Sequence, residues 1–282
     1  MTWWKASGLT AELTPGDLAI TDHRYGVTLP LLACRGCGFR FADPEATADL
    51  VALYGALDDP AYEEGADARR VPMRGYVEAI RRRAPHVRSL LDVGAANGLL
   101  VEEAQRAGID AMGVEPSATL AARARARGLD VRTGTLPLAP LGERRFDAVT
   151  LVDVIEHVSD PLGLLRAVRA VLAPAGVVLV VTPDVASVAA RTLRSRWWHY
   201  RVAHVGYFTR PTLSDALRRT GFVPTTWWRP GWVFELGYLV ERIGEYVPPA
   251  RRLAERAPAS VRQRTVRVNP WDSLAVLAVA GD

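Results

Sequence analysis

From Ser89 onward, short apolar runs alternate with stretches in which apolar residues recur every three or four positions. The first pattern predicts buried strands and the second amphipathic helices. The expected strands are Ser89–Val93, Asp110–Val114, Asp130–Arg132, Phe146–Val152 and the very apolar Val177–Val181. Between them fall helices Leu99–Arg106, closed by Gly108, and Ala118–Arg127, closed by Gly128. A third, Pro161–Leu172, stops before Pro174. Apolar residues on both faces of Val177–Val181 suit a central parallel strand. Regular alternation of this kind predicts an α/β domain with helices on both faces of one sheet.

The periodicity is less regular elsewhere. Helix is expected over Val185–Arg194 and from the Thr209 cap to Arg219, ended by Gly221. Phe222–Trp228 and Trp232–Leu236 read as strands interrupted by Pro230–Gly231, and Asp272–Val279 as the last strand. Residues 1–44 are rich in turn signals, and 45–88 hold two helical patterns, Glu45–Leu53 and Ala68–Arg83. The expected division is a small β/turn segment (1–44), a helical lid or cap (45–88) and a main domain (89–282) with insertions at 185–210 and 237–262. The acidic, tyrosine-bearing loop Tyr54–Gly65 reads equally as a lid or as a simple helix connection.

Composition changes this picture little. A formal charge of +4 comes from Lys+Arg 35 against Asp+Glu 31, and the arginines are scattered, which argues against a nucleic-acid partner. No run approaches the roughly 20 apolar residues needed to span a bilayer, and the start lacks a signal-peptide layout, so no membrane partner is expected and the cytoplasm is the default compartment. Both cysteines lie in Cys34–x–x–Cys37–Gly38. That spacing suits one knuckle of a zinc ribbon, with Asp22 and His23 as weak further donors, a metal-free hairpin, or a redox pair. No metal ligand set is assigned.

Chemistry concentrates at Asp92–x–Gly94–x–x–x–Gly98, between the first strand and its helix. Gly94 and Gly98 permit a tight turn and a close ligand approach, and the helix presents free N–H groups. Glu115, ending the second strand, is placed to accept two ribose hydroxyls. A dinucleotide site wants a glycine where Ala96 stands, and Asp92 is unfavourable beside a diphosphate. An aminoacyl nucleoside with a sulfonium is the better match.

Asp92–x–Gly94–x–x–x–Gly98, Glu115, Phe146–Asp147–Ala148–Val149, Asp153–Val154–Ile155–Glu156–His157–Val158 and Leu172–x–Pro174–x–Gly176 together resemble the class I S-adenosylmethionine-dependent methyltransferases. The resemblance covers roughly residues 45–282. The Cys34–Pro44 piece also resembles a branch with a zinc-ribbon-like head, although one of that branch's two cysteine pairs is missing. This likeness implies a seven-stranded Rossmann-like sheet in the order 3-2-1-4-5-7-6, with S-adenosyl-L-methionine as cofactor. It further implies that Asp92, Gly94, Ala95 and Gly98 line the methionine end, Glu115 and Pro116 the ribose, and Gly134, Thr135 and Leu136 the adenine. Asp153 and Val154 would pass beneath the methionine portion.

Methyl transfer to a hydroxyl needs alignment and a proton acceptor, and histidine suits the second task. His204, ahead of the late helix, and His157, at the edge of the fourth strand, are the candidate bases, with Tyr207 and His199 behind them. Trp197, Trp198 and Tyr200, interleaved with Arg191, Arg194, Arg196 and Arg201, read either as an acceptor pocket or as packing. Trp227, Trp228 and Trp232 read as its opposite wall or as edge-strand packing. The expected activity is O-methylation of a small natural-product or sugar-containing acceptor by a monomer or homodimer. The alternatives are C- or N-methylation and an NAD-dependent oxidoreduction.

Overall fold

The computed structural model describes residues 1–9, 12–19, 21–22, 24–47, 49–60, 66–137, 141–244, 258–262 and 264–281. His23, residues 61–65 of the acidic loop and much of the 237–262 insertion lie outside them. The chain opens with β1 (Thr2–Lys5), β2 (Leu31–Ala33) and β3 (Arg40–Ala42), then α1 (Leu50–Gly55) and α2 (Ala66–Arg83). Strict alternation follows: β4 (Ser89–Val93), α3 (Leu99–Arg106), β5 (Asp110–Glu115), α4 (Ala118–Ala126) and β6 (Val131–Thr133). Next come β7 (Phe146–Val152), α5 (Pro161–Val171) and β8 (Leu172–Pro183). The last third holds α6 (Val188–Leu193), β9 (Gly206–Tyr207), α7 (Arg210–Arg219), β10 (Phe222–Trp228) and β11 (Trp232–Glu235). It ends with α8 (Leu236–Gly244), α9 (Ala259–Arg262), β12 (Thr265–Val268) and β13 (Ser273–Ala280).

The main sheet runs β10-β13-β8-β7-β4-β5-β6. Numbered within the sheet, that is the expected 3-2-1-4-5-7-6. β13 is antiparallel to both neighbours, while β4 to β8 are parallel. Side chains alternate across it: Val178 and Val180 join one core with Phe146, Leu151 and Leu217, whereas Val177, Leu179 and Val181 join another with Ile80, Leu90 and Leu100. Burying each such side chain stabilises by roughly 1.5–3 kcal/mol. These two cores hold the strand ends in register, and with them the loops that carry the site.

β8 starts at Leu172 rather than Val177. Leu172 pairs with Phe146, after which Ala173–Gly176 bulge outward around Ala175 at φ 58° before pairing resumes at Val177. β12 had no distinct sequence signal. It pairs antiparallel with β11, and the two form a separate ribbon. Trp227 and Trp228 lie on the sheet's edge strand, packed on its two cores beneath the guanidinium groups of Arg210 and Arg83. They are packing residues of that edge.

The beginning of the chain needs the largest correction, because its described residues form no zinc ribbon. Cys34 and Cys37 sit in the turn joining β2 and β3, closed by Cys34 N–H to Phe39 O (2.8 Å) and Gly38 N–H to Cys34 O (2.9 Å), with Gly38 at φ 75°. Among the described residues, no cluster of three metal-ligating side chains includes either thiol. β1, β2 and β3 instead continue into β9, making a four-stranded antiparallel sheet in the order β1-β2-β3-β9. Leu18, Leu29 and Leu31 there share one core with Trp197, Tyr200, Val205 and Tyr207. Trp197 is fully buried, and its indole N–H donates to Asp272 (3.2 Å). Trp197 and Tyr200 therefore serve packing, not an acceptor wall.

Candidate active site

Two loops leaving β4 and β5 build one half of the site. The chain turns at Gly94 (φ 72°), whose N–H donates to Val114 O at 2.9 Å. A Cβ on Gly94 would stand 2.6 Å from Val154 Cγ2, so glycine is required by both conformation and space. Gly98, at φ 84°, precedes α3. Glu115 is buried and bridges the two loops: one oxygen accepts from Ala96 N–H and the other from Ser117 N–H, both at 2.8 Å. Each oxygen keeps a further lone pair for a hydroxyl donor. Gly134 is drawn alongside, its N–H donating to Glu115 O at 2.9 Å. The peptide N–H of Ala96, and not only the glycines around it, is thus part of the site.

The lining is acidic. Asp92 is buried and accepts from Thr150 Oγ1 at 2.6 Å. Burial pushes its carboxyl up to about 7, against the pull of that hydrogen bond. Asp153 occupies the left-handed region at φ 53°, an unfavourable conformation for a residue with a Cβ, held by its N–H on Val181 O (3.0 Å). Its Oδ1 is buried without a hydrogen-bond partner, and burial, reinforced by Asp272, pushes this carboxyl also to about 7. A carboxylate at the ribose position and an orphaned acidic oxygen beneath the turn fit the hydroxyls, ammonium and sulfonium of S-adenosylmethionine.

The other half gathers residues from distant parts of the chain. His157 and His204 meet edge to face, with ring centroids 4.7 Å apart. Tyr54, on α1, places its hydroxyl 2.6 Å from His157 Nδ1, which also lies 2.9 Å from Ala203 O. His199 stacks on His204 at 5.7 Å, and its Nε2 lies 3.4 Å from Asp272. Glu156 is buried; its Oε2 accepts from Thr182 Oγ1 (2.9 Å) and its Oε1 has no partner. Burial lowers His157 to about 3 and His204 well below its ordinary value, while Glu156 is raised well above the carboxylate range. Both rings are neutral at neutral pH.

The structure therefore brings His157, His204 and His199 together. Tyr207 is buried in the N-terminal core, its hydroxyl donating to Arg201 O at 3.5 Å, with burial raising its pKa. The sequence assigns no catalytic or binding role to Tyr54, Glu156 or Asp272 individually. Glu156 adjoins His157 in the motif, a signal that was available; Tyr54 and Asp272 become neighbours only through the fold. No helix among the described residues is long and apolar enough to cross a membrane.

Comparison with known proteins agrees with this geometry. A ubiquinone biosynthesis O-methyltransferase of Cereibacter sphaeroides is 35% identical over 159 residues, 51% of this chain and 63% of that protein. The matched chain thus spans under two thirds of that relative's length. The fold is similar to that of the Burkholderia thailandensis 1,6-didemethyltoxoflavin-N1-methyltransferase, solved with S-adenosylhomocysteine (TM-score 0.52, 18% identity, 88% of this chain and 98% of that one). It is also similar to that of an S-adenosylmethionine-dependent methyltransferase from Archaeoglobus fulgidus (TM-score 0.51, 18% identity, 78% and 100%). A family profile described as a methyltransferase domain matches residues 65–226, which include every loop of the cofactor half. The chain belongs to this methyltransferase domain family.

Proposed function

We propose that the protein transfers a methyl group from S-adenosylmethionine to a hydroxyl of a small acceptor. The carrying observation is that an acid-lined glycine turn and a cluster of histidines converge on the same end of the sheet. Bound at the turn, the cofactor supplies an already electrophilic methyl carbon. Glu115 then holds the ribose, Asp92 and Asp153 face the charged methionine end, and the Gly134–Leu136 loop lies against the adenine. The histidine cluster faces the acceptor, where it orients the hydroxyl and promotes loss of its proton as the new O–C bond forms and the C–S bond breaks. The similarity to the Cereibacter O-methyltransferase supports oxygen as the accepting atom.

The reading is tested by calorimetry with S-adenosylmethionine, S-adenosylhomocysteine and NAD, followed by transfer of labelled methyl to a panel of phenols and glycosides. Binding of the first two and not NAD is expected. Absence of S-adenosylmethionine binding would falsify it.

A further inference from the structure

We infer that Glu156, His157 and His204 bind one divalent transition-metal ion at the acceptor end of the site, with coordination positions left open to an oxygen of the acceptor. The role of the ion rests on the methyl-transfer reading above; its binding does not.

One ligand-type atom from each of the three lies within 4.8 Å of the other two. Tetrahedral ligands at about 2.0–2.1 Å from zinc stand roughly 3.3 Å apart, so small side-chain rotations close the set. The pattern of partners is more telling. Two of the three donors present a buried atom with no hydrogen bond, Glu156 Oε1 and His204 Nδ1, on residues only 1% and 5% exposed. Leaving such atoms unsatisfied is costly unless something else meets them.

The remaining atoms of the same groups are engaged as the outer shell of a metal site engages them. Thr182 donates to Glu156 Oε2, and Ala203 O with the Tyr54 hydroxyl fixes His157 Nδ1, which leaves Nε2 for the ion. His204 is oriented by the backbone of His199 and by the stacked ring.

The Asp153 carboxyl acts on Glu156 and favours a cation there, against the Arg201 guanidinium. Two imidazoles and one carboxylate select zinc, cobalt, iron or manganese over the oxygen-seeking magnesium. Three protein ligands with open positions make a site of the catalytic kind. There the ion would act as a Lewis acid, favouring loss of the acceptor's hydroxyl proton to solvent.

The test uses the full chain carrying Cys34→Ser and Cys37→Ser, which removes both free thiols as competing ligands. After chelator treatment, Zn2+ is titrated calorimetrically and Co2+ by visible absorption, each with and without S-adenosylhomocysteine. One equivalent of either ion and ligand-field bands of a nitrogen–oxygen cobalt site are expected, with magnesium giving no heat. His204→Ala and Glu156→Gln should abolish uptake while keeping S-adenosylhomocysteine affinity, which certifies the fold. Thr182→Val should weaken metal binding roughly tenfold. Normal S-adenosylhomocysteine binding without metal uptake, or uptake unchanged in both ligand variants, overturns the inference and leaves the methyl-donor reading intact. Metal uptake without S-adenosylhomocysteine binding supports the metal site and counts against that reading.

Discussion

The two halves of the site are built by opposite means. The cofactor half is made from consecutive strand–loop units: Gly94, Ala96 and Glu115 are brought together because β4 and β5 are parallel neighbours in register. The acceptor half has no such local origin. Tyr54 comes from α1, His157 from the loop after β7, His204 from the segment before β9 and Asp272 from the residue just before β13. The first half is backbone geometry with one bridging carboxylate, whereas the second is a side-chain assembly held by packing. Variants at the two halves should therefore fail differently.

The largest effect is expected at His204→Ala. Turnover should fall by about 10²–10⁴-fold, the usual range for losing proton-transfer assistance, with S-adenosylhomocysteine affinity within threefold of the parent by calorimetry. A parallel loss of affinity would mean that the halves are not separable. Trp197→Ala empties a fully buried site and removes the donor to Asp272. It should cost about 3–5 kcal/mol in denaturant unfolding, because it dissolves the core on which the acceptor half is mounted. Glu115→Gln keeps shape and loses charge, and should weaken S-adenosylmethionine binding on the order of 10–100-fold, with turnover at saturating cofactor much less affected.

The smallest effect concerns pH. Asp92 has a folded pKa of about 7, raised from 3.8. For a raised carboxyl the stabilising contribution is complete below about pH 4 and is lost as the pH rises through about 7. Asp92→Asn should flatten that part of the melting-temperature profile, raising Tm at pH 8 by a few degrees relative to the parent. An unchanged slope between pH 4 and 7 would assign the pH response elsewhere, with Asp153 the next group to replace.

The same contrast explains what could be read from the sequence. β4, α3, β7 and β10 fall where the periodicity places them because each carries a strand or helix pattern within its own residues. Glu115 was recognisable because a strand end leaves little freedom. β9 is two residues long and exists only because β3 lies beside it, so no local pattern announces it. The Cys34–x–x–Cys37 spacing left a knuckle, a hairpin and a redox pair open for a related reason. It encodes a tight turn, and a turn of that shape serves a plain hairpin as well as a metal knuckle. Trp197 and Tyr200 read equally as a ligand wall or as packing because aromatic content alone does not say which face of a segment is inward.

Val205 carries a consequence for redesign. Its N–H donates to Glu156 O, while its carbonyl accepts from Ala42 N–H at the end of β3. The peptide next to His204 is therefore riveted on one side to the main domain and on the other to the opening strands. A chimera that exchanges residues 185–208 to change the acceptor must bring residues 1–44 with it, since the imported segment would otherwise arrive without the splint that sets its height over the histidine cluster. The two pieces behave as one transplantable module, although the whole of the helical and first sheet region lies between them in the chain.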